Sequence, residues 1–200
     1  MNKTDTTSYY LSDEEMELLL QIATETLDCY VLKGESLDLQ SIELSEKLNA
    51  DGAAFVSLKN EGVLRGCIGH TRFIQPLATS VRDNTVNAAA RDPRFGPVTT
   101  QEMATIKVEI SVLCPGTELD SPFIEVKDPN EIVIGRDGLY LTGVGPRGGG
   151  LLLPQVPVEQ RWNLEQYLNA LCRKAEAPEL AWEQPDSKLY RFSAQIISNA

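Results

Sequence analysis

The chain has 200 residues, a hydrophobic fraction of 42% and a charged fraction of 24%, which suits one domain, or one domain with a small lobe, and excludes a disordered chain. Its net charge of −11 argues against nucleic acid as a partner, because phosphate binding needs a basic surface. No apolar run is long enough to form a membrane-spanning helix.

Residues 1–10 are polar and carry no apolar signal-peptide core, so the cytoplasm is the expected compartment. Ser12 and Glu15 form a capping box, with Leu11 and Met16 as a staple across it, and Leu19, Ile22, Ala23 and Tyr30 follow at near-helical spacing until Gly34. A short helix is expected within residues 42–48. Residues 53–58 read as a strand, Lys59-Asn60-Glu61-Gly62 as a turn and residues 63–68 as the returning strand. Alternation there puts Val63, Arg65 and Cys67 on one face, and Leu64, Gly66 and Ile68 on the other.

Pro76 suits the first turn of a helix that runs to about Ala90. A proline-stiffened loop follows, Arg91-Asp92-Pro93-Arg94-Phe95-Gly96-Pro97, and then Thr99 and Glu102 as a further capping box. Ile106, Val108, Ile110, Val112 and Cys114 alternate as a strand with one buried face. Residues 132–134 and 139–141 flank Arg136-Asp137-Gly138 as a second hairpin, and 143–150 reads as a mobile glycine-rich loop. Residues 151–156 read as extended up to Pro154, residues 158–175 as one helix and 189–197 as the last strand. Hairpins with helices inserted between them predict an α+β fold with a mostly antiparallel sheet, and approximately 115–150 is the expected smaller lobe within a single domain. Trp162 and Trp182 are expected in packing.

The four cysteines never form Cys-x-x-Cys, and one histidine rules out sites that need two or three; no metal site and no cofactor is assigned from sequence. The chemistry concentrates at Leu64-Arg65-Gly66-Cys67-Ile68-Gly69-His70. A guanidinium beside a thiol favours the thiolate, so Arg65 would activate Cys67, with His70 as an acid–base partner and Gly66 and Gly69 leaving room for a substrate. The competing reading is inert packing, the usual fate of a cysteine, and a loop histidine with a satisfied hydrogen bond. Arg91, Asp92 and Arg94 suit a carboxylate or phosphate ligand, or an internal pair that pins the loop. Glu109 is an acid or base in a cleft, or a solvated edge residue. Arg147 rides on a flexible lid, or on a plain linker.

These blocks resemble the AMMECR domain family, also called protein A of the AmmeMemoRadiSam system. Residues 64–69 look like its Leu-Arg-Gly-Cys-Ile-Gly signature, 91–95 like its Arg-Asp-Pro-Arg-Phe block and 109–113 like its Glu-Ile-Ser-Val-Leu strand. Residues 151–156 with Trp162 look like its Leu-Leu-Leu-Pro-Gln-Val…Trp block. The resemblance covers roughly residues 11–197. It implies an α+β fold of a larger and a smaller lobe with the signature near a cleft, the larger lobe similar to a fold of nucleotide-, nucleic-acid- and peptide-binding proteins. It also implies a genomic association with a Memo-type protein of the extradiol-dioxygenase superfamily and a radical SAM enzyme. Three functions compete. The first is an enzyme or enzyme component acting on a small molecule through a Cys67 thiolate. The second is a non-catalytic binding or scaffold module for a peptide or one of those partners. The third is nucleotide or RNA binding by the basic loop, which the acidic total opposes.

Overall fold

The structure is a computed structural model and describes residues 10–117, 120–146 and 148–199. The chain forms two compact units, one comprising the chain up to Val112 with the terminal segment from Gln195 on, the other Leu113–Ala194. The second unit is larger than the 115–150 lobe read from sequence. The reason is packing, because seven of the eleven buried residues in its core cluster lie beyond residue 150.

In the first unit, α1 (Asp13–Lys33) starts at the capping box, with Ser12 and Glu15 each accepting the other's backbone N–H. It is followed by α2 (Glu46–Asn49), β1 (Asp51–Gly52), β2 (Ala54–Asn60), β3 (Val63–Gly69), β4 (Gln75–Pro76), α3 (Leu77–Ala90) and β5 (Ile106–Leu113). Later in the chain, β10 (Ala194–Ser198) completes a four-stranded sheet in the order β10-β5-β2-β3. Glu61 and Gly62, both at positive φ, make the tight two-residue turn between β2 and β3. Ala54, Val56, Leu58, Val108, Ile110 and Val112 fill one face of this sheet and join Leu19, Ile22 and Val81 of α1 and α3 in the core. That leaves the alternate residues of β2, β3 and β5 on the opposite face.

The hairpin is not a plain two-strand ladder. Lys59 pairs with Leu64, and Leu58 with Gly66, so Arg65 is an extra residue in a β-bulge. Val63 pairs with Asn60 and drops out of the alternation with Cys67 expected from sequence.

The second unit contains β6 (Ile124–Glu125), β7 (Gly138–Thr142), β8 (Gly149–Leu152), α4 (Gln155–Glu159), α5 (Leu164–Lys174) and β9 (Lys188–Phe192), with sheet order β6-β9-β7-β8. Leu139, Leu141 and Leu189 pack against Tyr167, Leu168, Leu171 and Cys172 of α5. Trp162 and Trp182 pack against this cluster. Every strand pair with a described register, in both units, is antiparallel.

Four sequence expectations change here. Residues 132–134 form no strand, because the buried Asp137 carboxylate accepts the Val133 N–H at 2.8 Å and folds the segment into a turn. The partner of β7 is β8, so the glycine-rich stretch is a hairpin turn; a side chain at Gly145 would run into the Ala175 carbonyl. The expected helix 158–175 breaks at Arg161, whose φ is 55°, and restarts at an Asn163–Gln166 capping box. The expected final strand divides at Ser193 into β9 and β10, which belong to different sheets. Among the described residues no helix is long and apolar enough to cross a membrane.

Candidate functional site

Register places Cys67 of β3 opposite Ser57 of β2, and Ser57 opposite Glu109 of β5. Paired residues in a sheet point the same way, so these three side chains form a row across three strands on the face away from the helices. The Ser57 hydroxyl donates to the Cys67 sulfur at 3.2 Å. Lys59, two residues along β2 on the same face, donates to Glu109 Oε2 at 3.0 Å. Ser57 is 6% exposed and Cys67 is half-buried. A hydroxyl donating to sulfur favours the thiolate over the thiol, while burial opposes it.

Cys67 also lies on an edge strand, whose outer backbone groups have no neighbouring strand to pair with. Its N–H donates to Asp92 Oδ2 at 2.8 Å, and Arg94 Nη2 donates to its carbonyl at 3.3 Å. Asp92 and Arg94 are themselves bonded twice, Nε to Oδ1 at 2.9 Å and Nη2 to Oδ2 at 2.7 Å. The Asp92 side chain is 2% exposed. The Arg94 guanidinium, with the N–H groups of Cys67 and Arg94, holds its carboxyl well below the usual carboxylate range. The pKa of Arg94 is pushed up first by Asp92 and, to a lesser degree, by Cys67.

Arg65 is engaged elsewhere. Its Nε donates to Glu102 Oε1 at 2.6 Å, and Nη1 and Nη2 donate to the carbonyls of Gly96 and Pro97 at 2.9 and 3.1 Å. Glu102 also accepts from the Thr99 N–H, and these bonds, led by Arg65, lower its pKa to about 2. The Phe95 ring lies under both guanidiniums, 5.4 Å from Arg94 and 5.9 Å from Arg65. The Leu-Arg-Gly-Cys-Ile-Gly strand and the Arg-Asp-Pro-Arg-Phe loop are therefore one structural device, in which the loop closes the open edge of the strand.

The site residues named from sequence fall into three groups. Cys67 and Glu109 share the polar row. Arg65, Asp92 and Arg94 meet around the loop, but as internal pairs with Glu102 and with each other, and Arg91 reaches only Asn87, at 3.1 Å. Arg65, expected to supply charge to the sulfur, is instead paired with Glu102, and Arg94, itself paired with Asp92, reaches Cys67 at its backbone carbonyl. His70 is on the other side of the sheet from Cys67. Its Nε2 lies 3.1 Å from Ser80 Oγ and its Nδ1 lies 3.2 Å from Asn84 Nδ2, both on α3. Burial pushes its pKa down, against opposing effects of the Gly52 backbone and Asp83. The Cys–His pairing is thus corrected by alternation itself, because Cys67 and His70 are an odd number of residues apart.

Gly66 and Gly69 do not leave space for a ligand. A Cβ on Gly66 would strike the Ala88 carbonyl of α3, and one on Gly69 would strike the Phe55 ring and the Ala54 carbonyl. Protein atoms already occupy the room that the glycines make. Arg147 lies outside the described residues. Ser57 and Lys59 are not among the site residues named from sequence, which reads Glu102 only as the capping partner of Thr99. The alternation of β2 could have shown Ser57 and Lys59, whereas the pairing of Glu102 with Arg65, 37 residues away, carried no local signal. Among the described residues no three His, Cys, Asp or Glu side chains gather as a metal cluster.

The AMMECR1 family model matches residues 20–197. Protein MJ0810 of Methanocaldococcus jannaschii is 40% identical, with 94% of this chain and 91% of that protein covered. Protein PF1979 of Pyrococcus furiosus is 38% identical, over 94% of this chain and 90% of its own length. The crystal structure of the uncharacterized protein PH0010 from Pyrococcus horikoshii is similar in fold, with a TM-score of 0.85, 34% identity and coverage of 95% of this chain and 94% of that one. A match along most of the chain, in sequence and in fold, means that this chain belongs to the AMMECR1 family.

Proposed function

We propose that this AMMECR1-family protein is an enzyme, or the reactive component of one, that acts on a small molecule through the Cys67 thiolate. The observation that carries the reading is the Ser57 hydroxyl donating to the Cys67 sulfur at 3.2 Å, in a row with Glu109. Ser57 and Arg94 favour the negative sulfur, and the paired Lys59 and Glu109 supply a proton donor and acceptor on the next two strands. Because Asp92 and Arg94 hold the backbone of Cys67 at both its N–H and its carbonyl, the sulfur is placed on a rigid element rather than a loop.

The test is alkylation by iodoacetamide of the folded chain across pH, followed residue by residue by mass spectrometry. Cys67 is expected to react faster than Cys29, Cys114 and Cys172, with a midpoint below that of an ordinary thiol. Reaction of Cys67 only after unfolding would sink the reading.

A second reading, a docking module for a Memo-type or radical SAM partner, is supported by Val63, 71% exposed at the hairpin tip beside the exposed Leu64. Co-purification that survives Cys67→Ala but is lost on Val63→Glu would favour it over the enzyme.

A further inference from the structure

The second unit carries a groove of about 500 Å³ that the Cys67 reading does not use. It lies wholly within residues 113–194. Its floor is the face of the β6-β9-β7 sheet opposite α5. Register sets Glu125 of β6 opposite Tyr190 of β9, and Tyr190 opposite Tyr140 of β7, so a carboxylate and two aromatic rings stand in line. Phe123 stacks on Tyr140 with centroids 4.8 Å apart and leans on Tyr190 at 6.0 Å, giving a continuous aromatic wall. Ser121 and Thr142 add hydroxyls at the margin. Among the described residues, Glu125 is the one charged group in the lining and no basic side chain lines it; Lys188, opposite Thr142 in register, is exposed and outside the lining.

Ring faces carry negative potential and attract cations, and a carboxylate beside them adds a full charge of the same sign. An anion would be repelled by both. We propose that this groove binds a small organic cation, an amine or a methylated ammonium, with its charged head between Glu125 and the aromatic wall.

Calorimetry on the full chain tests this with two probes of equal shape, choline and its neutral isostere 3,3-dimethylbutan-1-ol. Choline is expected to bind saturably below about 10 mM, and the neutral alcohol at least tenfold more weakly. Glu125→Gln, an exposed substitution that does not touch the core, is expected to weaken choline about tenfold, and Tyr190→Leu further. Cys67→Ala is expected to leave choline binding unchanged, which separates this groove from the thiol site. Equal binding of choline and the alcohol would assign the groove to neutral stacking ligands and overturn the proposal. So would an unaltered affinity in Glu125→Gln, or no saturation by choline.

Discussion

The Asp92 carboxylate accepts the backbone N–H of Cys67 at 2.8 Å across 25 residues of sequence. With Arg94 donating to the Cys67 carbonyl, one ion pair, its carboxylate buried and its guanidinium half-exposed, takes the place of a neighbouring strand at that point of the sheet edge. Two motifs that look separate along the chain therefore depend on each other. The reactive residue proposed here is held by its backbone before its side chain does anything.

Asp92→Asn is expected to lower unfolding free energy by about 1.5 kcal/mol, because it removes the charge from a buried carboxylate that the half-exposed Arg94 guanidinium grips. Urea unfolding at neutral pH measures it. A loss within the few tenths of a kcal/mol typical of surface changes would show that the edge clamp contributes little.

Acid should reveal the same groups in order. His70 has a folded pKa below its unfolded value near 6.5, so the unfolded chain binds that proton first, and stability begins to fall as pH drops below about 6.5. Glu102, lowered to about 2, and Asp92, lowered further, contribute stability that is fully present above the unfolded value of about 4 and lost as pH falls through their folded values. Urea midpoints taken from pH 8 down should decline gently below about 6.5 and steeply below about 4. Asp92→Asn should flatten the lower limb and leave the upper one unchanged.

The two arginines should separate by function. Arg94→Lys keeps a charge but loses the bidentate fork, and is expected to move the midpoint of Cys67 alkylation to higher pH. Arg65→Lys is expected to cost about 1 to 3 kcal/mol through Glu102 and the two loop carbonyls while leaving that midpoint in place. A midpoint moved by Arg65→Lys alone would return the sequence-based assignment of Arg65 to favour. Ser57→Ala, which removes the donor to the sulfur, is expected to raise the midpoint as well.

Gly66→Ala places a methyl group against the Ala88 carbonyl, and the expected cost is about 3 kcal/mol as α3 is pushed from the sheet. Thermal unfolding checks it, with Gly96→Ala as the control in open space. Equal effects at the two glycines would mean that conformational freedom, and not close packing, explains Gly66.

Local rules determined a good part of this protein from sequence. The cap of α1, the hairpin turn at Glu61-Gly62 and the burial of alternate residues in β5 each depend on a few neighbouring residues, so the pattern carried them. The strand period of two put Cys67 and Glu109 on their faces, but His70, expected beside the sulfur, stands against α3 in the structure. Relations over distance were decided only by tertiary structure. A bulge at Arg65 sets which residue of β2 meets Cys67, and no turn rule reports a bulge. The helix that fills the space beside Gly66 comes from residues more than ten positions later, so its glycine looked like room for a ligand when it is room for a carbonyl. By sequence only Arg65 stands beside the thiol, and Arg94 reads as part of an anion-binding or self-paired loop. Folding paired Arg65 with Glu102 and Arg94 with Asp92 and the Cys67 carbonyl, because each guanidinium satisfies the nearest acceptors that the tertiary fold presents.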